Sequence, residues 1–412
     1  MKYITKRMKT GLLLGLAAMI FFSSCNKDVE QFTEAPAPGV STDPALGDVI
    51  KNNPDDSLYY RLIVKSGLLG TLNNKSTTYT MFVPGNSAMR SFITAASGGL
   101  VPAGAPDAIF SGFITANFPA ASAAGVVSYN TCPQALFSSS IPATFPNFQY
   151  PSILNPAPTI SALLRLTTFP TTNNGAWLNN VPLIPALNVA AANGVIHHEA
   201  VVVAPPQRFL WDRINTDAAL TYLKAAIIRA DSGTLAPGTL QGALQNIGAN
   251  LTVFAPTDAA FQTTLTGAIY QGLVAAGYPA GAGTLATATA LASSPTVFSN
   301  PLLYSVLTAQ TVKGIVVYHI LGTRAFTNNF PTTTTFVPTL LNGGIPAHPG
   351  VGLTGTFAIP FFTAATVKGV GNATAANVII NAAPFTPDPA GTSDQHYLNG
   401  VIHKIDQVLL PQ

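Results

Sequence analysis

Charge is scarce in this chain: only 8% of its 412 residues are Asp, Glu, Lys or Arg. The solvated surface must therefore be built from Thr, Ser, Asn and Gln, as suits a β-rich protein exposed outside the cell. Four of the basic residues, Lys2, Lys6, Arg7 and Lys9, crowd the N-terminus, and without residues 1–24 the net charge of +3 becomes −1. No basic patch then remains to suggest nucleic-acid binding. Cysteine is almost absent, with only Cys25 and Cys132. If Cys25 is modified, Cys132 has no partner, which excludes an internal disulfide. No His or acid stands near Cys132 in sequence, so it reads as a small buried thiol. H-E-x-x-H, G-x-S-x-G and phosphate-loop patterns are missing too. With 16 acids and six His, the composition argues against a hydrolase, which needs an acid pair or a Ser-His pair in one cleft. Gly281-Ala282-Gly283-Thr284-Leu285-Ala286 has dinucleotide-loop spacing, but Pro279 stands where a strand should precede it. It reads as a Gly/Ala-rich loop, and no cofactor or metal is expected.

What the chain does have is a repeat. Asn193-Gly194-Val195-Ile196-His197 recurs letter for letter as Asn399-Gly400-Val401-Ile402-His403. Tyr79 to Pro84 is answered by Leu251 to Pro256, and Tyr129, Phe137 and Pro142 by Tyr318, Phe326 and Pro331 with the same spacing. Between these landmarks the second copy is longer. Phe82 to Tyr129 is 47 residues against 64 for Phe254 to Tyr318, and Tyr129 to Asn193 is 64 against 81 for Tyr318 to Asn399. Landmarks that keep order around variable insertions point to core elements joined by surface loops.

The N-terminus has export character. After the basic head, Leu12 to Phe22 is an apolar run of eleven residues, too short for a spanning helix, which needs about 20. Phe22-Ser23-Ser24-Cys25 resembles a lipobox with Phe22 in place of the usual leucine, which implies acylation of Cys25 and attachment to the membrane through lipid. Asn26-Lys27-Asp28-Val29-Glu30 resembles the tract that sends Bacteroidetes-type lipoproteins to the exterior face of the outer membrane; the periplasmic face stays open. The chain then divides into a signal peptide (1–24), a Pro-containing tether (25–45) and two domains, 46–207 and 208–412. Pro205-Pro206 and a short connection, Arg208 to Asn215, predict domains that abut.

Each copy is predicted to open with a helix, along Asp56 to Leu72 and Leu220 to Ala230, with Asp217 placed to cap the second. A strand follows, ended by Pro84 or Pro256, and Thr257-Asp258 caps a new helix. Ile315 to Tyr318, β-branched and aromatic, predicts a strand. Val195 to Val203 and Val401 to Leu410 predict the closing strands, each introduced by an Asn-Gly turn.

Phe254-Ala255-Pro256-Thr257-Asp258-Ala259-Ala260-Phe261 resembles the first signature of fasciclin domains, Val317-Tyr318-His319-Ile320-Leu321 their Tyr-His segment, and Asn399 to Leu409 their closing strand. The resemblance spans residues 208–412. The first copy is similar but departs from the pattern, with Gly85-Asn86-Ser87-Ala88 after Pro84 and Asn130 at the place of His319. The resemblance implies an α+β fold, two tandem units each built as a β-wedge or sandwich with packed helices. It also implies adhesion or extracellular recognition without catalysis or cofactor. The family-motif residues are Phe254, Pro256, Thr257, Asp258, Tyr318, His319, Asn399, Gly400 and His403, with Tyr129, Asn193, Gly194 and His197 in the first copy.

His197-His198-Glu199 offers two metal ligands at most from one strand face, and a structural role is the simpler reading. The resemblance places Tyr318 and His319 in the segment linked to adhesive contacts; the structural reading, favoured here, makes Tyr318 a core ring with a bonded hydroxyl and His319 a loop-orienting neighbour. Ligand contacts, with an extracellular protein or polysaccharide, are expected in the loops at Gly98 to Ala124, Gly272 to Asn300 and Pro331 to Gly355. A second reading is a carbohydrate- or nutrient-capturing lipoprotein serving an outer-membrane importer, with Phe330, Phe336 and Phe361-Phe362 as its aromatic platform.

Overall fold

A computed structural model describes residues 41–232, 238–358, 361–381 and 390–412. The signal segment and Cys25 lie outside the described residues.

Two four-stranded sheets carry the duplication. The first uses β1 (Tyr79–Pro84), β2 (Thr131–Cys132), β3 (Val189–Ala191) and β4 (Gly194–Glu199) in the order β2-β1-β4-β3. The second uses β5 (Leu251–Pro256), β6 (Ile320–Leu321), β7 (Gln395–Tyr397) and β8 (Gly400–Ile405) in the order β6-β5-β8-β7. In both, the first long strand runs parallel to the last, with Tyr79 opposite Gly194 and Leu251 opposite Gly400. A parallel pair cannot be joined by a tight turn, so everything between its strands becomes the crossover, and each repeat is closed on itself.

Successive side chains of these strands face different layers. Met81 and Val83 enter a helical layer with α1 (Ser57–Ser66) and α2 (Ala120–Tyr129), while Phe82 enters a second cluster with Tyr129, Cys132 and Leu178. In the second repeat Val253 and Ala255 meet the helices α3 (Thr221–Ala230), α4 (Asp258–Ala275), α5 (Ala282–Ala292) and α6 (Ala309–Tyr318), and Phe254 meets Tyr318, Phe330 and Val351. Burial on both faces explains why β5 lacks a polar alternation. The extra length of the second copy is accounted for by the 18-residue α4 with α5, and by a four-stranded antiparallel meander built on Val351–Ala358 and Phe361–Lys368.

Several expectations are corrected. Ile315 to Tyr318 is the end of α6, not a strand: Thr308 caps that helix through Thr311 N, Val312 and Val316 bury one face, and the strand begins only at Ile320. The opening helix of the first copy stops at Ser66, where Gly67 turns left-handed (φ +76°). The closing strands end at Glu199 and Ile405. Asp217 does not cap α3; its carboxylate accepts from Ala219 N and pairs with Arg213 and Lys404, and Asp258 serves the start of α3 instead. The Gly281 to Ala286 stretch opens α5, with Gly281 just ahead of its first turn. The expected contact loops are largely regular: Gly98 to Ala124 contains Asp107–Ala116 and the start of α2, and Pro331 to Gly355 holds Thr335–Val337 and the start of Val351–Ala358.

The repeats pack directly against each other. Phe169 of the first joins Phe326 and Val401 of the second in one small cluster. Arg324 lies over the Phe169 ring at 4.8 Å and donates to His396 at 2.6 Å, and His396 in turn meets the Tyr129 hydroxyl at 3.4 Å. Asn147, Thr144 and Asn179 of the first repeat accept from Phe326 N, Asn329 and Asn328.

Candidate functional site

The motif residues converge on one hydrogen-bonded frame, built twice. Asn193 accepts from Leu46 N and donates to Leu72 O; Asn399 accepts from Leu210 N and donates to Ala243 O. Each Asn thereby ties the short helix that precedes α1 or α3, Leu46–Asn52 or Leu210–Thr216, to the start of the closing strand. The glycine that follows is obligatory, because a Cβ on Gly194 or Gly400 would collide with the backbone oxygen of Tyr79 or Leu251.

The histidines come next. His197 Nε2 donates to Leu136 O at 2.7 Å, and His403 Nε2 to Ala325 O at 2.9 Å. Their Nδ1 atoms accept from Asn188 N and Asp394 N, two residues that both hold left-handed backbone (φ +67° and +51°). Phe82 stacks on His197 at 5.7 Å and Phe254 on His403 at 5.8 Å. Burial holds both imidazoles below their ordinary pKa, so both are neutral and locked in one tautomer. The same corner is closed by Thr80, which donates to Gln134 O and accepts from Leu136 N, and by Thr252, which does so with Thr323 O and Ala325 N.

His319 follows α6 as its C-cap, donates from Nδ1 to Ile315 O and accepts at Nε2 from Leu409 N. Burial pushes it down to about 4. Tyr318 is buried, its hydroxyl donating to Gly350 O and accepting from Val370 N; the Tyr129 hydroxyl donates to Thr167 O. Thr257 caps α4 through Ala260 N, and Asp258 reaches across to Thr221 and Tyr222 N. Asn86 does the same for Ser57 and Leu58 N, so the departure after Pro84 keeps the bond. Pro256 ends β5 opposite Ile405.

Among the described residues, the motif groups line neither the cavity beside α3 nor the one bordered by residues 96–117. His198 turns away from His197 to pair with Asp56, and among the described residues no group of three His, Cys, Asp or Glu could hold a metal ion. Of the expected aromatic platform, Phe330 is buried against Phe254 and His403, whereas Phe336 is exposed. Sequence reasoning missed Thr80, Thr252, Asn188 and Asp394. The signal available was their matching place beside each pentapeptide and first strand.

A family model of the fasciclin domain matches residues 54–203, the copy whose motif departs from the pattern. No curated protein matches the chain at a significant level. Among solved structures, the chain is similar to a FAS1 domain pair from the insect cell adhesion molecule fasciclin I, at 14% identity and a TM-score of 0.32, covering 85% of this chain and 95% of that one. The bonds centred on Asn193, His197 and Thr80 recur in the second half at Asn399, His403 and Thr252. Residues 54–203 thus match the fasciclin domain family, and the second half repeats the hydrogen-bonded frame of that matched segment.

Proposed function

We propose that this protein is a non-enzymatic adhesion or matrix-recognition molecule, held at the outer membrane by lipid on Cys25 and presenting two tandem fasciclin domains, 46–207 and 208–412. The observation that carries the reading is the use of the motif residues. The family's signature groups, including His197, His319 and His403, are buried and committed to holding backbone together. That leaves recognition to the surface between them, on a module of adhesion type. Lipid attachment and the cell-exterior location rest on the sequence of residues 12–30. Packed repeats support a rigid two-module display, which adds avidity when both modules engage. The test is adhesion of cells bearing the native protein or Cys25→Ser, combined with protease shaving of intact cells. The reading expects shaving to remove the protein, and Cys25→Ser to release it and abolish adhesion. Adhesion that is unchanged after shaving contradicts it.

A further inference from the structure

We propose that the groove beside α3 in the second repeat binds an acidic oligosaccharide. This rests on the recognition reading above and names the ligand class for it. The groove encloses 690 Å³ between α3 and the turns at residues 295–304, within the range of about 300–1,000 Å³ typical of small-ligand sites. Two cations line it. Lys224 is half-buried and makes no side-chain bond or ion pair among the described residues. Arg229 donates to Leu307 O and lies over the Tyr304 ring at 3.8 Å, and among the described residues no carboxylate pairs with it. The lining has one acid, Asp217, already held by Arg213 at 2.8 Å and Lys404 at 2.6 Å. Two further acids adjoin α3 and are already bonded: Asp258 accepts from Thr221 and Tyr222 N, and Asp231 from Leu240 N and Gln241 N. In a chain with 8% charged residues, two uncompensated cations in one concavity call for an anion.

The rest of the lining favours a sugar over an acidic peptide. Thr296 and Ser299 donate their hydroxyl protons within the protein, leaving oxygen lone pairs to accept from ligand hydroxyls. Asn215 adds an exposed amide. Ile228 and Tyr304, each 40% exposed, provide an apolar wall against which the C–H face of a pyranose could pack. The first repeat has Tyr60 where Lys224 stands and Lys65, bonded to Thr115 O, where Arg229 stands, so the cation pair belongs to the second repeat alone.

The test is calorimetric titration of the full-length protein with tetragalacturonate and a chondroitin sulfate tetrasaccharide, with cellotetraose and tetraglutamate as controls. At least one acidic sugar should bind with one-to-one stoichiometry, more weakly as salt rises. Lys224→Gln should weaken it about tenfold or more, the worth of a charged hydrogen bond. Tyr304→Ala should also weaken it, and Lys65→Gln should not. Failure of both acidic sugars, unchanged binding by Lys224→Gln, or equal binding of tetraglutamate overturns the proposal. Adhesion of cells carrying Lys224→Gln separates the two readings: retained adhesion alongside failed titration removes the groove and leaves the adhesion proposal standing.

Discussion

Asn130 and His319 hold the same place in their repeats, the residue after the tyrosine that ends the helix, and each bonds back to the carbonyl four residues earlier and across to the closing segment. Asn130 donates to Val126 O at 3.0 Å and to Val203 O at 2.8 Å. His319 donates to Ile315 O at 2.8 Å and accepts from Leu409 N at 2.8 Å. The departure at Asn130 is therefore a change of hydrogen-bond polarity and leaves the strut in place. An amide can donate twice, whereas a neutral imidazole donates once and accepts once.

His319→Asn should be mild, because an amide can also donate and accept, costing about 1 kcal/mol. His319→Ala should cost about 2–3 kcal/mol, since it leaves two buried backbone groups unpaired. Denaturant unfolding of the two variants checks the order, and equal losses would remove the strut.

The same residue sets an acid limit. His319 is pushed down to about 4 in the folded protein, against an ordinary value of 6.5. The unfolded chain binds the proton more readily, so this contribution is complete above pH 6.5 and is lost as pH falls through 4. It amounts to about 3 kcal/mol. The fall in melting temperature across that range should be shallower in His319→Asn.

Glu199 has the opposite sign. It is buried opposite Pro84, where the second repeat has Ile405 opposite Pro256, and burial pushes its carboxyl up to about 8 against an ordinary 4.5. The folded state holds the proton more tightly, so the contribution is complete below pH 4.5 and is lost as pH rises through 8, by on the order of 5 kcal/mol. Glu199→Gln should flatten the alkaline limb of a melting-temperature profile, and an unchanged limb contradicts the assignment.

Cys132 is buried beside Thr168, and burial pushes its thiol up to about 12. Iodoacetamide should leave it unlabelled in the native protein and modify it on unfolding, as mass spectrometry of the alkylated protein would show.

At the repeat interface, Phe169→Ala removes the ring that meets Phe326, Arg324 and His396, at a cost of about 3–5 kcal/mol. Calorimetry of the wild type should show one transition, and of the variant two resolved ones. A single unshifted transition would mean that the contact does not couple the halves.

The duplication was legible because the pentapeptide is constrained at every position: an Asn with three backbone partners, a Gly under a passing strand, two core residues and a histidine bonded at both nitrogens. Ile315 to Tyr318 was misread because its β-branched composition suggests a strand, while Thr308 and the buried pair Val312 and Val316 fix a helix through tertiary packing. The helix α5 was hidden because Ala, Gly and Thr give little contrast between its faces. The interface triad Phe169, Arg324 and His396 lies far apart in sequence and carries no local signal. The same holds for the α3 groove, whose lining comes from two separate stretches.

The central claim is that the motif histidines hold the fold and do not touch the ligand. The decisive measurement is adhesion by cells displaying His403→Gln, alongside the melting temperature of the purified variant. A lower melting temperature with adhesion per folded molecule unchanged is the predicted result. A variant that melts like the wild type and has lost adhesion would contradict it.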